Sequence, residues 1–212
     1  MISDGRLITL EGLEGVGKST QVATVVDYLA HNGIQARATR EPGGAPFADR
    51  IRDLLLSPAH CPPAADTELL LMFAARAEHL ANMIEPTIDA GQWVVSDRFT
   101  DATYAYQGGG RGIPDERIRV LEQWVQGSRR PHRTLLFDAP VTVALGRVHR
   151  RGTTTDRFEA EELAFFERVR AKYLARAAAE PERFRVIDAT RSPDEVGESI
   201  RNALTDLVTE GT

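Results

Sequence analysis

The sequence has very little cysteine and no excess of positive charge, and both features narrow the possible functions. Cys61 is the only cysteine among 212 residues, which excludes an internal disulfide and a metal site built from cysteines. The 31 acidic residues outnumber the 26 lysines and arginines, giving a formal net charge of −5 and no general attraction to nucleic acid or an anionic membrane. An anionic ligand would therefore have to be held by local arginines.

Long apolar runs are also missing. No stretch approaches the roughly 18 consecutive apolar residues that span a bilayer, and the mixed polar residues 1–6 contain no secretory apolar segment. We therefore expect a cytoplasmic protein that binds neither membrane nor nucleic acid. The length of 212 residues predicts a single domain over residues 1–212 with a mobile appendage.

The most informative motif lies near the N-terminus. Residues 12–19 satisfy the spacing G-x-x-x-x-G-K-S, in which backbone N–H groups curl around phosphate oxygens. Lys18 would reach the β- and γ-phosphates and the hydroxyl of Ser19 would hold magnesium. A strand-like apolar run at 7–10 precedes the motif, and helical apolar spacing over 22–29 follows it. This strand, loop and helix order is the context that a phosphate-binding loop requires.

Short apolar segments alternate with helical patterns along the whole chain. The predicted strands are residues 7–10, 34–39, 93–97, 134–138 and 184–188. Because parallel strands need helical crossovers, this order predicts a three-layer α/β fold of the P-loop NTPase type, with a five-stranded parallel sheet and helices on both faces. The carboxyl ends of the strands, with Arg40, Glu41, Asp97 and Arg98, should then face one crevice.

Other elements are predicted with less regular patterns. The helix at 46–56 is expected to bury Phe47, Ile51, Leu54 and Leu55. A long helix is expected from residue 66 until Pro86 breaks or bends it, because proline lacks the backbone N–H. The glycine-rich stretch 100–112 is expected to be a loop.

Two adjacent residues at the end of the third predicted strand are candidates for binding magnesium and phosphate. Asp97 is placed where an acidic side chain would hold magnesium or its waters, although a strand-end aspartate can also cap a turn. Arg98 favours the first interpretation, because a planar guanidinium suits phosphate.

Four arginines lie close together in the second half of the chain: Arg147, Arg150, Arg151 and Arg157. Such a cluster is typical of a solvated helix face, but here it flanks a weakly apolar strip in a phosphate-binding protein. A short mobile lid over about 147–159, which closes and delivers an arginine, is the other interpretation. Arg157 is the better candidate for that role.

Five motifs together resemble those of the bacterial thymidylate kinases, and the likeness runs almost end to end. They are EGLEGVGKST at 11–20, TREPGG at 39–44, LMFAAR at 71–76, DRF at 97–99 and YAYQGGGR at 104–111. The resemblance implies transfer of the γ-phosphoryl group of Mg-ATP to thymidine 5′-monophosphate (dTMP), giving dTDP and ADP for dTTP synthesis. It also implies a homodimer and a lid that carries the catalytic arginine.

The resemblance also implies roles for individual residues. ATP would be bound by Gly12, Leu13, Glu14, Gly15, Val16, Gly17, Lys18, Ser19, Thr20 and Arg147. The residues implied for dTMP are Glu14, Arg40, Glu41, Arg52, Phe73, Arg76, Arg98, Thr103, Tyr106 and Gln107. Magnesium would be held by Ser19 and Asp97, and the catalytic set is Glu14, Lys18, Arg98, Arg151 and Arg157.

Three of these implied roles go beyond what the residues alone indicate. Phe73 would stack on the thymine ring, although its place on an apolar helical stripe favours core packing by default. Tyr106 would exclude a ribose 2′-hydroxyl and so favour deoxynucleotides. Glu14 would face the acceptor, although an exposed loop carboxylate is the alternative. Because Gly15 and not an arginine follows Glu14, the positive charge would have to come from Arg157.

Other functions remain open at this stage. A deoxynucleoside kinase would have a hydroxyl acceptor, against which two arginines aimed at an acceptor phosphate argue. A P-loop ATPase switch would need a partner surface and a water-positioning group. The sequence also departs from the family pattern, because Phe99 replaces a common tyrosine or histidine and the strip 152–156 is one residue longer than usual.

Overall fold

Five parallel strands form the sheet that the sequence predicts, in the order β2-β3-β1-β4-β5. They are β1 (Leu7–Gly12), β2 (Ala36–Arg40), β3 (Trp93–Asp97), β4 (Arg133–Asp138) and β5 (Phe184–Asp188). The computed structural model describes residues 5–57, 63–151, 158 and 161–210. Because β1 is central, the phosphate loop that follows it lies in the middle of the carboxyl edge of the sheet. The register places Leu10 beside Asp97 of β3 and Gly12 beside Phe137 of β4.

Helices connect the strands and cover the sheet. They are α1 (Lys18–His31), α2 (Pro46–Leu56), α3 (Ala65–His79), α4 (Glu85–Asp89), α5 (Thr100–Thr103), α6 (Asp115–Gln126), α7 (Val141–Arg151), α8 (Leu163–Ala179) and α9 (Pro193–Glu210). Successive strand residues point to opposite faces. Accordingly Ile8 and Val95 belong to the largest apolar cluster, whereas their neighbours Leu7 and Val94 pack with Ile84 in a second one. None of the helices described here is long and apolar enough to cross a membrane.

The chain remains helical through Pro86, where we expected a break or a bend, so the helix is not broken there. A π-helical turn at Leu80–Ile84 joins α3 to α4, and Pro86 then occupies the first turn of α4. A proline is tolerated there because the first turn of a helix leaves its N–H groups without intrahelical partners. The chain therefore stays helical to Asp89.

The prediction of a loop over residues 100–112 is wrong. This segment forms α5 and then a π-helical turn at Tyr104–Gly110. Its glycines serve close packing against α8: a Cβ atom on Gly109 would lie 2.7 Å from Cβ of Lys172, and one on Gly110 would lie 2.4 Å from the ring of Phe165. A run of three glycines was misread as a turn because the sequence does not show which element approaches it.

Of the four residues of α2 that we predicted to be buried, two are exposed. Ile51 and Leu55 are buried, but Phe47 and Leu54 are 57% and 65% exposed. The helix packs on α3 through Ala48, Ile51 and Leu55 together with Ala75. Its apolar stripe is therefore wider than the face that its neighbour covers.

We expect Gly110→Ala to destabilise the protein by about 1–3 kcal/mol, because the added methyl group overpacks the contact with Phe165. Gly146→Ala is the matched control, since a Cβ atom there meets no heavy atom within 4 Å in the described part of the chain. That control should stabilise α7 by about 0.5–1 kcal/mol. Urea denaturation of the two variants and the parent measures both effects, and equal stabilities would contradict the packing argument.

Candidate active site

The carboxyl ends of β1, β2 and β3 open into a cavity of about 350 Å³. Nine of the ten residues that the sequence assigned to the acceptor line it: Glu14, Arg40, Glu41, Arg52, Arg76, Arg98, Thr103, Tyr106 and Gln107. Ser19 and Asp97 lie on the same wall. The structure therefore brings the phosphate loop and the predicted second binding site to one place.

The phosphate loop turns through three glycines with positive φ angles. Gly12, Gly15 and Gly17 have φ values of 133°, 81° and 92°, which other residues rarely adopt. The chain then enters α1 at Lys18, whose Nζ donates to the carbonyl oxygens of Gly12 and Leu13 at 3.0 and 2.6 Å. The loop thus wraps around a lysine at a helix N-terminus, where backbone N–H groups and the helix dipole favour anions.

The surroundings of Lys18 disfavour its charged form. Burial, followed by the nearby positive charge of Arg98, lowers the pKa of Lys18 to about 8, against the opposing effects of Asp97, Glu14 and Glu11. A polyanion bound in the loop would add negative charge beside this ammonium group and favour its protonated form.

The side-chain oxygens of Ser19 and Asp97 lie together beside the loop, where they could ligate a cation. The Ser19 hydroxyl donates to Oδ2 of Asp97 at 3.0 Å. The contact joins the first turn of α1 to the end of β3, because β3 pairs with β1 alongside the loop. Within the residues that the structure describes, no group of three or more His, Cys, Asp and Glu side chains could hold a metal ion. This pair therefore offers two protein oxygens and leaves further positions to ligands.

Arg98 connects the loop to the cavity walls. Its Nη1 donates to the carbonyl of Gly12 at 2.9 Å and to the hydroxyl of Tyr173 at 3.0 Å. Its Nη2 donates to Oε1 of Glu14 at 2.7 Å and to the hydroxyl of Tyr106 at 3.1 Å. Arg98 has a φ of 73°, and such strain in a non-glycine residue is typical of functional sites.

Glu14 is not an exposed loop carboxylate. It accepts hydrogen bonds from Arg98 and from the Tyr106 hydroxyl, the latter at 2.5 Å. Burial by itself raises the pKa of Glu14, but Arg98 and Lys18 hold it below its usual value. The carboxylate is therefore ionised and turned toward the cavity wall.

Arg76 and Gln107 form the deeper wall of the cavity. Arg76 donates through Nε to Oε2 of Glu41 at 2.8 Å and through Nη2 to the hydroxyl of Thr103 at 3.0 Å. Gln107 donates through Nε2 to Oε1 of Glu68 at 2.7 Å, which fixes the orientation of its amide. Both side chains are buried, so these hydrogen bonds hold them rigidly.

The structure does not place Phe73 on the cavity wall, which corrects the expectation that it stacks on a base. Its ring is only 2% exposed and packs with Leu69 and Tyr104 in an apolar cluster. The guanidinium carbon of Arg76 lies 4.8 Å from its ring centroid. Met72, one position earlier, lines the cavity instead. The core packing that the apolar helical stripe favours for Phe73 is therefore confirmed, and only the role implied by the resemblance is not. One residue along a helix turns the side chain by about 100°, which brings Met72 to the cavity.

The remaining predicted residues lie around this centre. Nη1 of Arg52 donates to the carbonyl oxygen of Pro42 at 2.8 Å, and Nη2 of Arg40 lies 3.5 Å from Oδ1 of Asp49. Arg147 of α7 donates to the carbonyl of Ala189, just after β5, at 2.8 Å. Leu13 and Val16 anchor the loop in the core, and Thr20 follows on α1. Arg157 lies outside the described residues, as does the side chain of Arg151.

Sequence reasoning missed Glu11. This residue is fully buried directly before the loop and accepts hydrogen bonds from the backbone N–H of Phe99 at 2.7 Å and the Tyr173 hydroxyl at 2.8 Å. Burial, with a smaller contribution from Asp101, raises its pKa to about 8. The available signal was a carboxylate at the end of an apolar strand, next to a glycine that closes the loop.

A parallel sheet with a phosphate loop after its central strand is the architecture of the P-loop NTPases. The second, arginine-lined pocket beside that loop is what a kinase of small phosphorylated molecules needs, because phosphoryl transfer depends on positioning and positive charge. The fold and site together define a P-loop phosphotransferase.

Comparisons with known proteins identify the family within that class. The family model "Thymidylate kinase" matches residues 10–200. The chain is 55% identical to thymidylate kinase of Halorhodospira halophila over 100% of this chain and 99% of that one, and 59% identical to thymidylate kinase of Chromohalobacter salexigens over 97% of each. The crystal structure of thymidylate kinase from Ehrlichia chaffeensis superposes with a TM-score of 0.75 at 29% identity, covering 94% of this chain and 98% of that one. The chain belongs to the thymidylate kinase family, whose members are nucleoside monophosphate kinases.

Proposed function

We propose that this protein transfers the γ-phosphoryl group of Mg-ATP to dTMP, giving dTDP and ADP, in the cytoplasm and as one catalytic domain over residues 1–212. The observation that carries the proposal is the position of the arginine-lined cavity, which shares Glu14, Ser19 and Arg98 with the phosphate loop and its neighbouring strand. A second substrate in that cavity would meet the phosphates of a nucleotide held by Lys18. Family membership supports the choice of dTMP.

The donor half of the site is assigned to the loop and α1. Lys18 and the N–H groups of the loop would hold the β- and γ-phosphates, and Arg147 would contact the nucleotide where α7 meets the chain after β5. Ser19 and Asp97 fit Mg²⁺, which prefers oxygen ligands and usually keeps positions for phosphate and water. When bound, Mg²⁺ would neutralise charge on the bridging phosphate oxygens.

The acceptor half is assigned to the cavity. Arg52 and Arg98 would hold the 5′-phosphate of dTMP so that one of its oxygens attacks the γ-phosphorus as the bond to the β-phosphate oxygen breaks. Tyr106 would lie against the deoxyribose, and Arg76 with Gln107 would bind the edge of the base. Their fixed hydrogen bonds support these roles, because catalysis here consists mainly of positioning and electrostatic stabilisation.

We expect purified protein with Mg²⁺ and ATP to form ADP rapidly only when dTMP is added. Because dUMP lacks the methyl group of thymine, it should be a weaker acceptor, and dCMP and dGMP, whose bases have different polar edges, should be poor ones. A coupled ADP assay with each monophosphate measures this order, with thymidine as the control for a hydroxyl acceptor. ADP formation at the same rate without any acceptor would favour the ATPase alternative, and a preference for thymidine would favour a deoxynucleoside kinase.

We also propose, from the sequence alone, that Arg157 supplies positive charge to the transferred phosphoryl group. Arg157→Ala should then lower kcat by about 10³ or more while the KM for dTMP changes little, as for arginines supplied in other phosphoryl transfers. Arg201→Ala is the matched control, because Arg201 lies exposed on α9, outside the lid, and the variant loses the same charge. An unchanged kcat in Arg157→Ala would move the role to Arg151 or Arg150.

We propose that the protein forms a homodimer through the exposed apolar surface of α2, α3 and α6. These helices pack side by side, α2 on α3 and α3 on α6. On them Phe47, Leu54, Leu70, Val120 and Trp124 are exposed, Trp124 by 82%. Exposed apolar side chains concentrated in one region are typical of an interface. Trp124→Glu should shift the protein to a monomer in sedimentation analysis, whereas Leu163→Glu on α8 should not. A monomeric parent protein would contradict the proposal.

A further inference from the structure

His79 is a buried polar residue that lies behind the cavity and not on its wall. It ends α3, is fully buried, and is absent from the set of side chains that line the cavity. Its Nδ1 lies 3.0 Å from Oε1 of Glu41 and its Nε2 lies 2.7 Å from the hydroxyl of Thr39. The ring therefore connects α3 to the end of β2 and to the residue that follows it.

The direction of these hydrogen bonds follows from Glu41. Burial by itself raises the pKa of Glu41, but Arg76 and His79 hold it below its usual value. An ionised carboxylate only accepts hydrogen bonds, so Nδ1 of His79 carries the hydrogen and donates. Nε2, when it carries no hydrogen, accepts from the Thr39 hydroxyl. Each oxygen of Glu41 thus has its own donor, His79 for Oε1 and Arg76 for Oε2.

The carboxylate fixed by His79 sets the orientation of Arg76. Two of the three guanidinium nitrogens are occupied, Nε by Glu41 and Nη2 by Thr103. The group also lies 4.8 and 5.2 Å from the ring centroids of Phe73 and Phe99, which fixes its plane. The third nitrogen, Nη1, is buried and has no hydrogen-bond partner among the residues that the structure describes. A buried donor without a partner is costly unless a ligand supplies an acceptor.

The ring of His79 has little freedom to turn away. A Cβ atom on Gly44 would lie 2.4 Å from both Nε2 of His79 and the hydroxyl oxygen of Thr39. The backbone after β2 therefore closes over this hydrogen bond, and Gly44 keeps a φ of 85° that other residues rarely adopt.

We propose that His79 is a positioning residue for acceptor selection: through Glu41 it holds Arg76 so that Nη1 is presented to a base with a carbonyl oxygen at its edge. The inference rests on the proposed function, in which the acceptor base is thymine. Thymine has a carbonyl oxygen where cytosine has an amino group. The N–H group of Nη1 donates to the carbonyl oxygen of thymine but would meet the amino group of cytosine, which is also a donor. A fixed Arg76 therefore discriminates between the two bases.

His79→Leu tests this, because it keeps the apolar volume and removes both hydrogen bonds. We expect the KM for dTMP to rise about tenfold with kcat and the KM for ATP within about twofold, as expected when a binding interaction is lost. The ratio of kcat/KM for dTMP to that for dCMP should fall about tenfold, because Nη1 no longer has a fixed direction.

Two further variants separate positioning from mere structural support. Asparagine can place an amide N–H close to the position of Nδ1, so His79→Asn should restore most of the selectivity. Glutamine places its amide nearer the position of Nε2, so His79→Gln should not restore it. His31→Leu is the matched control, since His31 is an exposed histidine at the end of α1 and its loss should change neither KM nor selectivity.

The outcomes distinguish this proposal from the proposed function. A parent protein that does not phosphorylate dTMP would refute the function before any variant is compared. An active parent with unchanged selectivity in a folded His79→Leu variant would overturn the role of His79. A fall in kcat together with a rise in the KM values for both dTMP and ATP, with no recovery in His79→Asn, would also overturn it. If His79→Leu does not fold, equal selectivity of the Asn and Gln variants would overturn it.

Discussion

The partly buried guanidinium of Arg98 is the group on which the geometry of the site depends. Its four hydrogen bonds reach the backbone of the phosphate loop, Glu14 within that loop, Tyr106 of the π-helical turn and Tyr173 of α8. Burial by itself would lower the pKa of Arg98, but these neighbours raise it, so the charge is retained. Loss of one partner would leave a partly buried charge incompletely paired, which is destabilising. The phosphate loop and the cavity wall are therefore held by the same side chain.

Two glutamates three positions apart show how the location of this charge controls ionisation. Glu14 lies against Arg98 and Lys18, and its pKa is lowered. Glu11 is buried between Phe99 and Tyr173, and its pKa is raised to about 8. The Tyr173 hydroxyl donates to Glu11 and accepts from Arg98, so it separates the guanidinium from the inner carboxyl group. The chain thus presents one ionised carboxylate to the cavity and keeps the other group behind the loop.

The parts of this site that the sequence predicts are those encoded locally. The strands and the phosphate loop follow from apolar spacing and one short motif, and the sheet confirms them. The apolar stripe also assigns Phe73 correctly to the core, whereas the place of Met72 on the cavity wall depends on the neighbours of α3 and could not be predicted. His79 could not be predicted at all, since its partners Thr39 and Glu41 lie about 40 positions away. The glycines at 108–110 were misread for the same reason: the helix that they approach lies far along the chain.

In a chain with a net charge of −5, the arginines of the cavity have positions that are fixed by carboxylates. Arg98 pairs with Glu14, and Arg76 pairs with Glu41. Each pair reduces the local charge, so the cavity gains little from unspecific attraction of anions. Each also fixes the plane of a guanidinium group, which determines the direction of its remaining N–H donors. Because Arg76 keeps one buried nitrogen without a partner in the described structure, the wall can select a ligand by the position of one acceptor atom and not by charge.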